Sequence, residues 1–399
     1  MMSFVARSEG MADETCEIVA RIRSVLPAGL DRVALHEPRF GGREREYLNN
    51  CIDTGWVSYA GPYVHQFEAA LAQACEVPHA IAVSSGTVAL QIALTTAGVG
   101  TSDEVLIPSL TFVATANAVV HAGAVPHFVD VDEKTLGIDP AALSAHLAST
   151  AERRDGATYN KATGRRIAAL MPVHIFGHPC DMDALDAIAV EFGLTVIEDA
   201  TEALGSRYKG KPCGSLAPLS ALSFNGNKLV TTGGGGAVLV NDNGVADRIR
   251  HLTTTAKLPH RWAFNHDEVG WNFRLPNINA AVGLGQLEQL PGALAAKERL
   301  WRRYIDAFVG FSAARVFQDA RFAESNHWLV ALILERGSEP LLESVLAATH
   351  EAGIMTRPAW TPMHLLPMYR DNPRSGLAAT ESLARRIVSL PSSPFLAPA

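Results

Sequence analysis

The sequence predicts an α/β protein: a large domain built on a mostly parallel β-sheet, followed by a smaller C-terminal α+β domain. Two observations favour this class. Short apolar runs alternate with longer amphipathic ones between residues 80 and 240, and a long helical pattern at 279–308 precedes a further strand and helix. Short buried strands that alternate with helices are typical of a parallel sheet covered on both faces. A chain of 399 residues is also long enough for two domains.

Seven apolar runs are predicted to be strands of the large sheet: residues 80–83, 104–107, 126–131, 167–173, 194–198, 217–224 and 235–240. Helices are expected at 87–97 and 114–122, after the first two strands. The polar stretch 151–166 is expected to be an exposed loop.

The domains are predicted as an N-terminal helical extension at 1–45, a large domain at 46–285 and a small domain at 286–399. Leucines at helical spacing predict one long linking helix from Asn279 to Phe308, which Pro291 interrupts and is expected to kink. In the small domain we expect a strand at 328–334 and a helix at 341–352.

Composition excludes several classes of partner. The chain is 48% hydrophobic and 19% charged, which is the balance of a soluble globular protein. The net charge is −7 and no Lys/Arg cluster is present, so nucleic acid is not expected as a partner. No apolar run is long enough to cross a bilayer, and the first residues lack a signal-peptide pattern. Five scattered cysteines are interpreted as free thiols in a reducing cytoplasm.

Two loops at predicted strand ends carry candidate binding residues. The segment from Ser84 to Thr87 joins a strand to a helix, where backbone N–H groups attract an anion and Gly86 permits close approach. The alternative is an ordinary helix cap. Asp199 ends another strand, at the edge where parallel sheets bind ligands. Its alternative is also a helix cap.

Lys228 lies just past a strand, in the Gly/Asn loop SFNGNK. A desolvated lysine forms a Schiff base with an aldehyde, whereas a single loop lysine is more often a solvated surface residue. Taken together, an anion loop, a carboxylate and a lysine in this order suit pyridoxal phosphate. That cofactor has a phosphate, a pyridine nitrogen and an aldehyde to be bound.

The chain resembles the DegT/DnrJ/EryC1/StrS sugar aminotransferases, from about Gly55 to Pro391. The motifs that carry the resemblance are SSGTVALQIAL, PSLTFVATANAV, IEDATEALGS, SFNGNKLVTTGGGG and GWNFRLPNINAAVGLGQLE. The resemblance implies a fold-type I, aspartate-aminotransferase-like fold with a mostly parallel seven-stranded sheet. It also implies pyridoxal phosphate as cofactor, glutamate as amino donor and a homodimer with sites at the interface.

The resemblance assigns roles to individual residues. Lys228 would hold the cofactor covalently and later act as general base, and Asp199 would pair with the pyridine nitrogen. Gly86 and Thr87 would bind the phosphate at the helix start, with a hydroxyl from Ser223. A family branch with histidine in place of the lysine performs dehydration, and Lys228 argues against that branch.

Further roles follow from the same resemblance. Phe112 would lie over the cofactor and Glu202 near its ring, while Asn272 would reach the phosphate of the neighbouring subunit. Three residues of the C-terminal stretch would face the nucleotide sugar: Arg357, Trp360 and His364. Their alternative interpretation is surface or core residues of the small domain.

The stretches TTTAKLPHRW, NHDEVGWNFRLPN and GIMTRPAWTPMHLLPMY resemble LegC-type enzymes of bacterial nonulosonic-acid and surface-polysaccharide pathways. This implies amination at C4 of a nucleotide-linked 4-keto-6-deoxy sugar, N-acetylated and carried on UDP or GDP. A GDP-perosamine synthase is the competing hypothesis, since UDP, GDP and dTDP carriers all remain open. Two further hypotheses are a different pyridoxal-phosphate reaction, such as sugar dehydration, and a non-catalytic regulator with the same fold.

His174 and His178 are four residues apart but lie at a strand end, so they do not share a helix face as a metal pair would. We assign them to packing or loop hydrogen bonds and expect no metal site. The run Gly233–Gly236 lacks the spacing of a nucleotide loop and is interpreted as a turn near the cofactor.

Overall fold

The computed structural model describes residues 2–397. The strands are β1 (His79–Val83), β2 (Glu104–Pro108), β3 (Val125–Val129), β4 (Ala151–Arg154), β5 (Ala157–Asn160), β6 (Arg166–Leu170), β7 (Thr195–Asp199), β8 (Arg207–Tyr208), β9 (Lys211–Pro212), β10 (Leu219–Ser223), β11 (Gly236–Val240), β12 (Ala314–Val316), β13 (Ala323–Glu324), β14 (Val330–Leu334), β15 (Arg357–Pro358) and β16 (Ile387–Leu390).

The α-helices are α1 (Met2–Val25), α2 (Glu44–Thr54), α3 (Pro62–Ala74), α4 (Gly86–Thr96), α5 (Val113–His121), α6 (Pro140–Thr150), α7 (Met182–Phe192), α8 (Asn243–Thr253), α9 (Asn277–Leu287), α10 (Leu290–Phe308), α11 (Leu341–Glu351) and α12 (Ala378–Ala384). No helix among residues 2–397 combines the length and apolar character needed to span a bilayer.

A mixed sheet forms the centre of the fold, and its main path has seven strands in the order β1-β11-β10-β7-β6-β2-β3. Only β11 runs against its neighbours; the other pairs on this path are parallel. Alternate residues of β1 enter separate apolar clusters, with Ile81 on one face and Ala82 on the other. The predicted fold class is therefore confirmed, because helices cover both faces of this sheet.

The expectation of an exposed loop at 151–166 is wrong. Strands β4 and β5 form an antiparallel hairpin that pairs with β6 and widens the sheet. The polar side chains of β5 find buried partners: the Thr158 hydroxyl donates to the Phe192 carbonyl, and the Asn160 amide donates to Glu104. Polar composition indicated a loop, but buried polar groups are tolerated where they are hydrogen-bonded.

The helical pattern around residues 279–308 is two helices, α9 and α10, rather than one kinked helix. Pro291 lies in the first turn of α10. At that position a proline loses no hydrogen bond, because the first N–H groups of a helix have no partner within it.

A four-stranded antiparallel sheet, in the order β12-β14-β16-β15, organises the C-terminal part of the chain. Helix α1 packs on this part: Ile18 and Ile22 share an apolar cluster with Tyr304 of α10 and Val345 of α11. The predicted boundaries at residues 45 and 285 remain a proposal.

Strand direction positions the candidate site. The parallel strands β1, β7 and β10 end at Val83, Asp199 and Ser223, so the loops that follow them meet at one edge of the sheet. Crevices outside the carboxyl ends of parallel strands are the usual ligand sites of such folds.

Candidate active site

The loop between β1 and α4 presents a helix start to a cavity. Ser85 precedes the helix in extended conformation, and its hydroxyl accepts a hydrogen bond from the Val88 N–H at 3.2 Å. Within the described residues, the N–H groups of Gly86 and Thr87 have no protein acceptor. The helix cap is therefore present, and because the Ser85 side chain caps only one N–H, the N–H groups of Gly86 and Thr87 are left as donors for the predicted anion.

Glycine is needed at two positions for this loop to pack. A Cβ at Gly86 would lie 2.7 Å from the Cβ of Ser223, at the end of β10. A Cβ at Gly236 would overlap the backbone carbonyl of Ser85. The two glycines bring the loop, β10 and β11 into direct contact and place the Ser223 hydroxyl beside the helix start.

Asp199 ends β7 and is 1% exposed. Its Oδ2 accepts from the Thr115 hydroxyl at 2.8 Å. Its Oδ1 accepts from the Thr201 hydroxyl at 2.7 Å and from the Thr201 N–H at 3.2 Å. These hydrogen bonds to both oxygens fix the orientation of the carboxylate.

The amine of Lys228 is buried beside a carboxylate: its Nζ lies 3.5 Å from Oε1 of Glu202. Burial lowers the pKa of Lys228 from its ordinary value, while the nearby charges of Glu202 and Asp199 oppose that shift. Burial raises the pKa of Glu202, and Lys228 opposes that shift. Both pKa shifts make the neutral amine of Lys228 more favourable than it is in water. A lysine that acts as nucleophile and base requires a neutral amine.

Glu202 is itself fixed from behind. The Phe176 N–H donates to its Oε2 at 2.7 Å. Phe176 has a φ of 57°, the left-handed region that a bulky residue rarely adopts. In this conformation the Phe176 N–H points toward the carboxylate of Glu202. The resulting hydrogen bond holds Glu202 in place beside Lys228.

A cavity of about 560 Å³ brings most of the predicted site residues together. Eight of them line it: Gly86, Thr87, Phe112, Glu202, Ser223, Lys228, Arg357 and Trp360. Asp199 lies just behind the wall, bonded to the lining residues Thr115 and Thr201.

Two predicted residues lie elsewhere. Asn272 is exposed and pairs with Thr254 across an isolated β-bridge, outside the cavity of its own chain. His364 lines a second cavity of about 420 Å³, where its Nδ1 is 2.8 Å from the hydroxyl of Ser109. The role predicted for Asn272 involves a neighbouring subunit, so its position here leaves that prediction open.

Four residues of the site were missed from the sequence: Thr115, Thr201, Phe176 and Trp328. Thr201 follows Asp199 by two residues, which is the spacing of an Asp side chain that bonds its own backbone, and this signal could have identified it. The other three come from distant parts of the chain, and no local pattern connects them with the site.

The two histidines make the hydrogen bonds expected of them. The Cys180 N–H donates to Nδ1 of His174, so the proton resides on Nε2, which is 3.0 Å from Glu198. His178 accepts through Nε2 from the Ala320 N–H at 3.0 Å. Cys213 lies close to His174 and Glu198, so the three side chains are near enough to bind one metal ion. The oxygens of Glu198, however, already accept hydrogen bonds from neighbouring N–H and hydroxyl groups.

Comparison with known proteins identifies the family. The model of the DegT/DnrJ/EryC1/StrS aminotransferase family matches residues 38–399. The chain belongs to this family. It is 38% identical over 91% of its length to a GDP-perosamine synthase of Caulobacter vibrioides, of which 93% is covered. It is 35% identical over 91% of its length to a GDP-perosamine synthase of Escherichia coli O157:H7, of which 94% is covered.

Solved structures of the same family share the fold of this chain. A DegT DnrJ EryC1 StrS aminotransferase from Brucella abortus superposes with a TM-score of 0.81 at 32% identity, covering 89% of this chain and 91% of that one. DesI, solved in the presence of its TDP-sugar product, gives 0.79 at 32% identity, covering 92% and 89%. The expected family is confirmed, and the chain is a sugar aminotransferase of nucleotide-sugar biosynthesis.

Proposed function

We propose that this cytoplasmic enzyme uses pyridoxal phosphate to move the amino group of glutamate to C4 of a nucleotide-linked 4-keto-6-deoxy sugar. The observation that carries the proposal is the cavity in which Lys228, Glu202 and the start of α4 converge. The two relatives named GDP-perosamine synthase favour a GDP-linked, non-acetylated sugar. The N-acetylated sugar of the LegC-like resemblance is the second candidate.

The donors present fit the cofactor. The N–H groups of Gly86 and Thr87, without protein acceptors in the described chain, would take the phosphate together with the Ser223 hydroxyl. The fixed carboxylate of Asp199 would bind the pyridine nitrogen and keep it protonated, and Phe112 would lie over the ring. When bound, pyridoxal phosphate supplies an electron sink for the pair released at the donor carbon.

The part of Lys228 in the reaction is proton transfer. Its amine would bind the cofactor at rest. Once glutamate has displaced the amine from the cofactor, Lys228 would take a proton from the α-carbon of glutamate and pass it to the aldehyde carbon of the cofactor. The burial that lowers its pKa makes the neutral amine that this step needs more favourable than it is in water. Glu202 then stabilises the ammonium form at 3.5 Å. The sugar would follow the same path in reverse.

Aromatic and basic residues that line the cavity suit a nucleotide sugar. The rings of Phe176 and Trp360 stack with centroids 5.3 Å apart, and Phe112 tilts against Trp360 at 5.9 Å. Arg357 on β15 would offer its guanidinium to the diphosphate. His364 lies in the adjoining C-terminal stretch and lines the second cavity.

The site is proposed to be completed by a second copy of the chain. Asn272 lies outside its own cavity on an exposed segment, as expected of a residue that reaches the neighbouring subunit's phosphate. A homodimer with both sites at the interface is therefore part of the proposal.

Borohydride reduction tests the cofactor assignment. Purified protein is expected to be yellow, and reduction followed by peptide mass spectrometry should place the cofactor on Lys228. Lys228→Ala should bind cofactor non-covalently and lose transamination by several orders of magnitude. An adduct on another lysine, or continued turnover by Lys228→Ala, would contradict the assignment.

A panel of sugars tests the substrate. The enzyme, glutamate and each 4-keto-6-deoxy sugar linked to GDP, UDP or dTDP should form 2-oxoglutarate and an amino sugar. We expect the GDP-linked, non-acetylated sugar to give the highest kcat/KM. Preference for a UDP-linked N-acetyl sugar would instead support the LegC-like assignment, and dehydration without amination would overturn both.

A further inference from the structure

An indole ring lies directly against the amine of Lys228. The Nζ atom is 3.7 Å from the centroid of the Trp328 ring, while the carboxylate of Glu202 is 3.5 Å away from the same atom. The lysine side chain is 12% exposed and Trp328 is 3% exposed. The amine therefore lies between a carboxylate and an aromatic face, with little water to compete with either.

The ring is held rigidly by its own hydrogen bonds. The indole Nε1–H donates to the Asn227 carbonyl at 2.8 Å, in the loop that carries Lys228. The Trp328 N–H donates to the side chain of Asn326 at 2.8 Å, and the Asn326 amide donates to the Glu202 carbonyl at 2.8 Å. One network thus connects the ring, the lysine loop and the backbone of Glu202.

A second buried lysine holds the backbone of Trp328. Lys297 on α10 is 1% exposed, and its Nζ donates to the carbonyls of Trp328 at 3.1 Å and Ser392 at 2.5 Å. Burial lowers the pKa of Lys297 well below its ordinary value. Because a charged or neutral amine can donate to both carbonyls, Lys297 fixes the Trp328 backbone in either state.

We propose that Trp328 is a positioning residue that receives the amine of Lys228 whenever that amine is not joined to the cofactor, and that its ring face stabilises the ammonium form. The proposal rests on the function proposed above, in which the amine is released and takes up a proton. A cation within 6 Å of an indole face is attracted by the ring quadrupole, more strongly where water is excluded.

Other charged groups face the same amine. Glu202 and Asp199 favour its ammonium form, whereas burial opposes it, and His36 is the nearby group that would repel it when protonated. Arg357 lines the same cavity. The Trp328 ring is uncharged. Its contact therefore stabilises the ammonium group without a further ion pair, which would restrict the movement of the lysine.

The test measures the protonation of Lys228 in cofactor-free protein. Trace acetylation with acetic anhydride across pH, followed by peptide mass spectrometry, gives the pH midpoint of this one amine. Tryptophan is replaced during expression by analogues with increasing fluorine on the indole, which weaken the quadrupole with little change of shape. We expect the midpoint to fall stepwise, by about one pKa unit at the highest fluorination.

Two variants make the test specific. In Trp328→Phe the remaining tryptophans are fluorinated but do not touch Lys228, so the midpoint should no longer depend on fluorine. Trp301→Leu removes a tryptophan of the same domain that stacks on His327 instead, and should keep the full fluorine dependence. The proposal is overturned if the pH midpoint of Lys228 does not change with fluorination in the wild-type chain, or if it still changes with fluorination in Trp328→Phe.

The outcome is independent of the cofactor assignment. If borohydride found no adduct at Lys228, the proposed function would fail while the fluorine series still reported on the ring contact. If the adduct formed at Lys228 but the pH midpoint of its acetylation did not change with fluorination, only the proposed role of Trp328 would be contradicted.

Discussion

Asp199 shows how a single side chain is prepared for its task. Both of its oxygens are occupied by hydroxyl or N–H donors from Thr115 and Thr201, and Thr115 is in turn 3.0 Å from the Thr111 hydroxyl. Donors on two sides fix the plane of the carboxylate. A carboxylate held in one orientation suits the contact with the pyridine nitrogen that is proposed above.

Thr115→Val is the sharpest test of this arrangement, because it removes one hydroxyl and preserves the volume. A hydrogen bond to a charged group contributes about 1.5–3 kcal/mol, so we expect kcat to fall roughly 10- to 100-fold. Thr96→Val, whose hydroxyl bonds only the Ile92 carbonyl, is the matched control and should leave kcat unchanged. Normal turnover by Thr115→Val would show that Thr201 alone orients Asp199.

At the level of elements, a histidine pair joins β3 to α6. Nε2 of His127 lies 2.8 Å from Nε2 of His146, and Nδ1 of His127 is 2.8 Å from Glu104 at the start of β2. One of the two facing nitrogens must be unprotonated for this contact to form. Burial, followed by the charge of His127, lowers the pKa of His146 to about 4.

This pair predicts a pH dependence of stability. The folded-state pKa of His146 lies below its ordinary value of 6.5, so its contribution is complete above about pH 6.5 and is lost as pH falls toward 4. The loss should be roughly 1–2 kcal/mol, since His146 is only partly buried and water screens the interaction.

Urea unfolding at several pH values in this window measures the effect. His146→Gln should show a shallower decline than the wild-type chain, because glutamine does not titrate. His65→Gln, at an exposed position on α3, should keep the full decline. Equal slopes for all three proteins would rule out this origin of the pH dependence.

At the scale of the whole molecule, one exposed apolar segment suits the homodimer proposed above. Residues 254–272 form an arm closed by the bridges Thr254–Asn272 and Lys257–His266. Trp262 and Phe264 on this arm are 73% and 76% exposed. Neighbouring exposed apolar side chains form patches of the kind that mark interaction sites, whereas single ones are ordinary on protein surfaces. The arm also carries Asn272, the residue proposed to reach the neighbouring site.

The arm predicts that assembly and cofactor binding are coupled. The double variant Trp262→Ser, Phe264→Ser should sediment as a monomer at micromolar concentration and bind pyridoxal phosphate at least tenfold more weakly. Val190→Ser, which removes an 80% exposed apolar side chain from α7, is the control and should remain a dimer. A stable dimer formed by the double variant would show that the arm is not part of the interface.

The sequence by itself determined the family, the order of the large-sheet strands along the chain and eight of the residues that line the cavity. These are local properties: a buried strand is an apolar run, a helix start after glycine binds anions, and Lys228 lies in a loop of recognisable composition. The β4–β5 hairpin was misjudged because its polar side chains are satisfied by Glu104 and Phe192, which are distant along the chain.

Only the tertiary structure decided what surrounds these residues. Thr115 reaches Asp199 across 84 positions, and Trp328 reaches Lys228 from the C-terminal part of the chain. Such contacts depend on how elements cross in space, and no local periodicity encodes them. Lys228 therefore was recognisable as a lysine in a glycine-containing loop, but its buried place between a carboxylate and an indole face arises from packing, which also lowers its pKa.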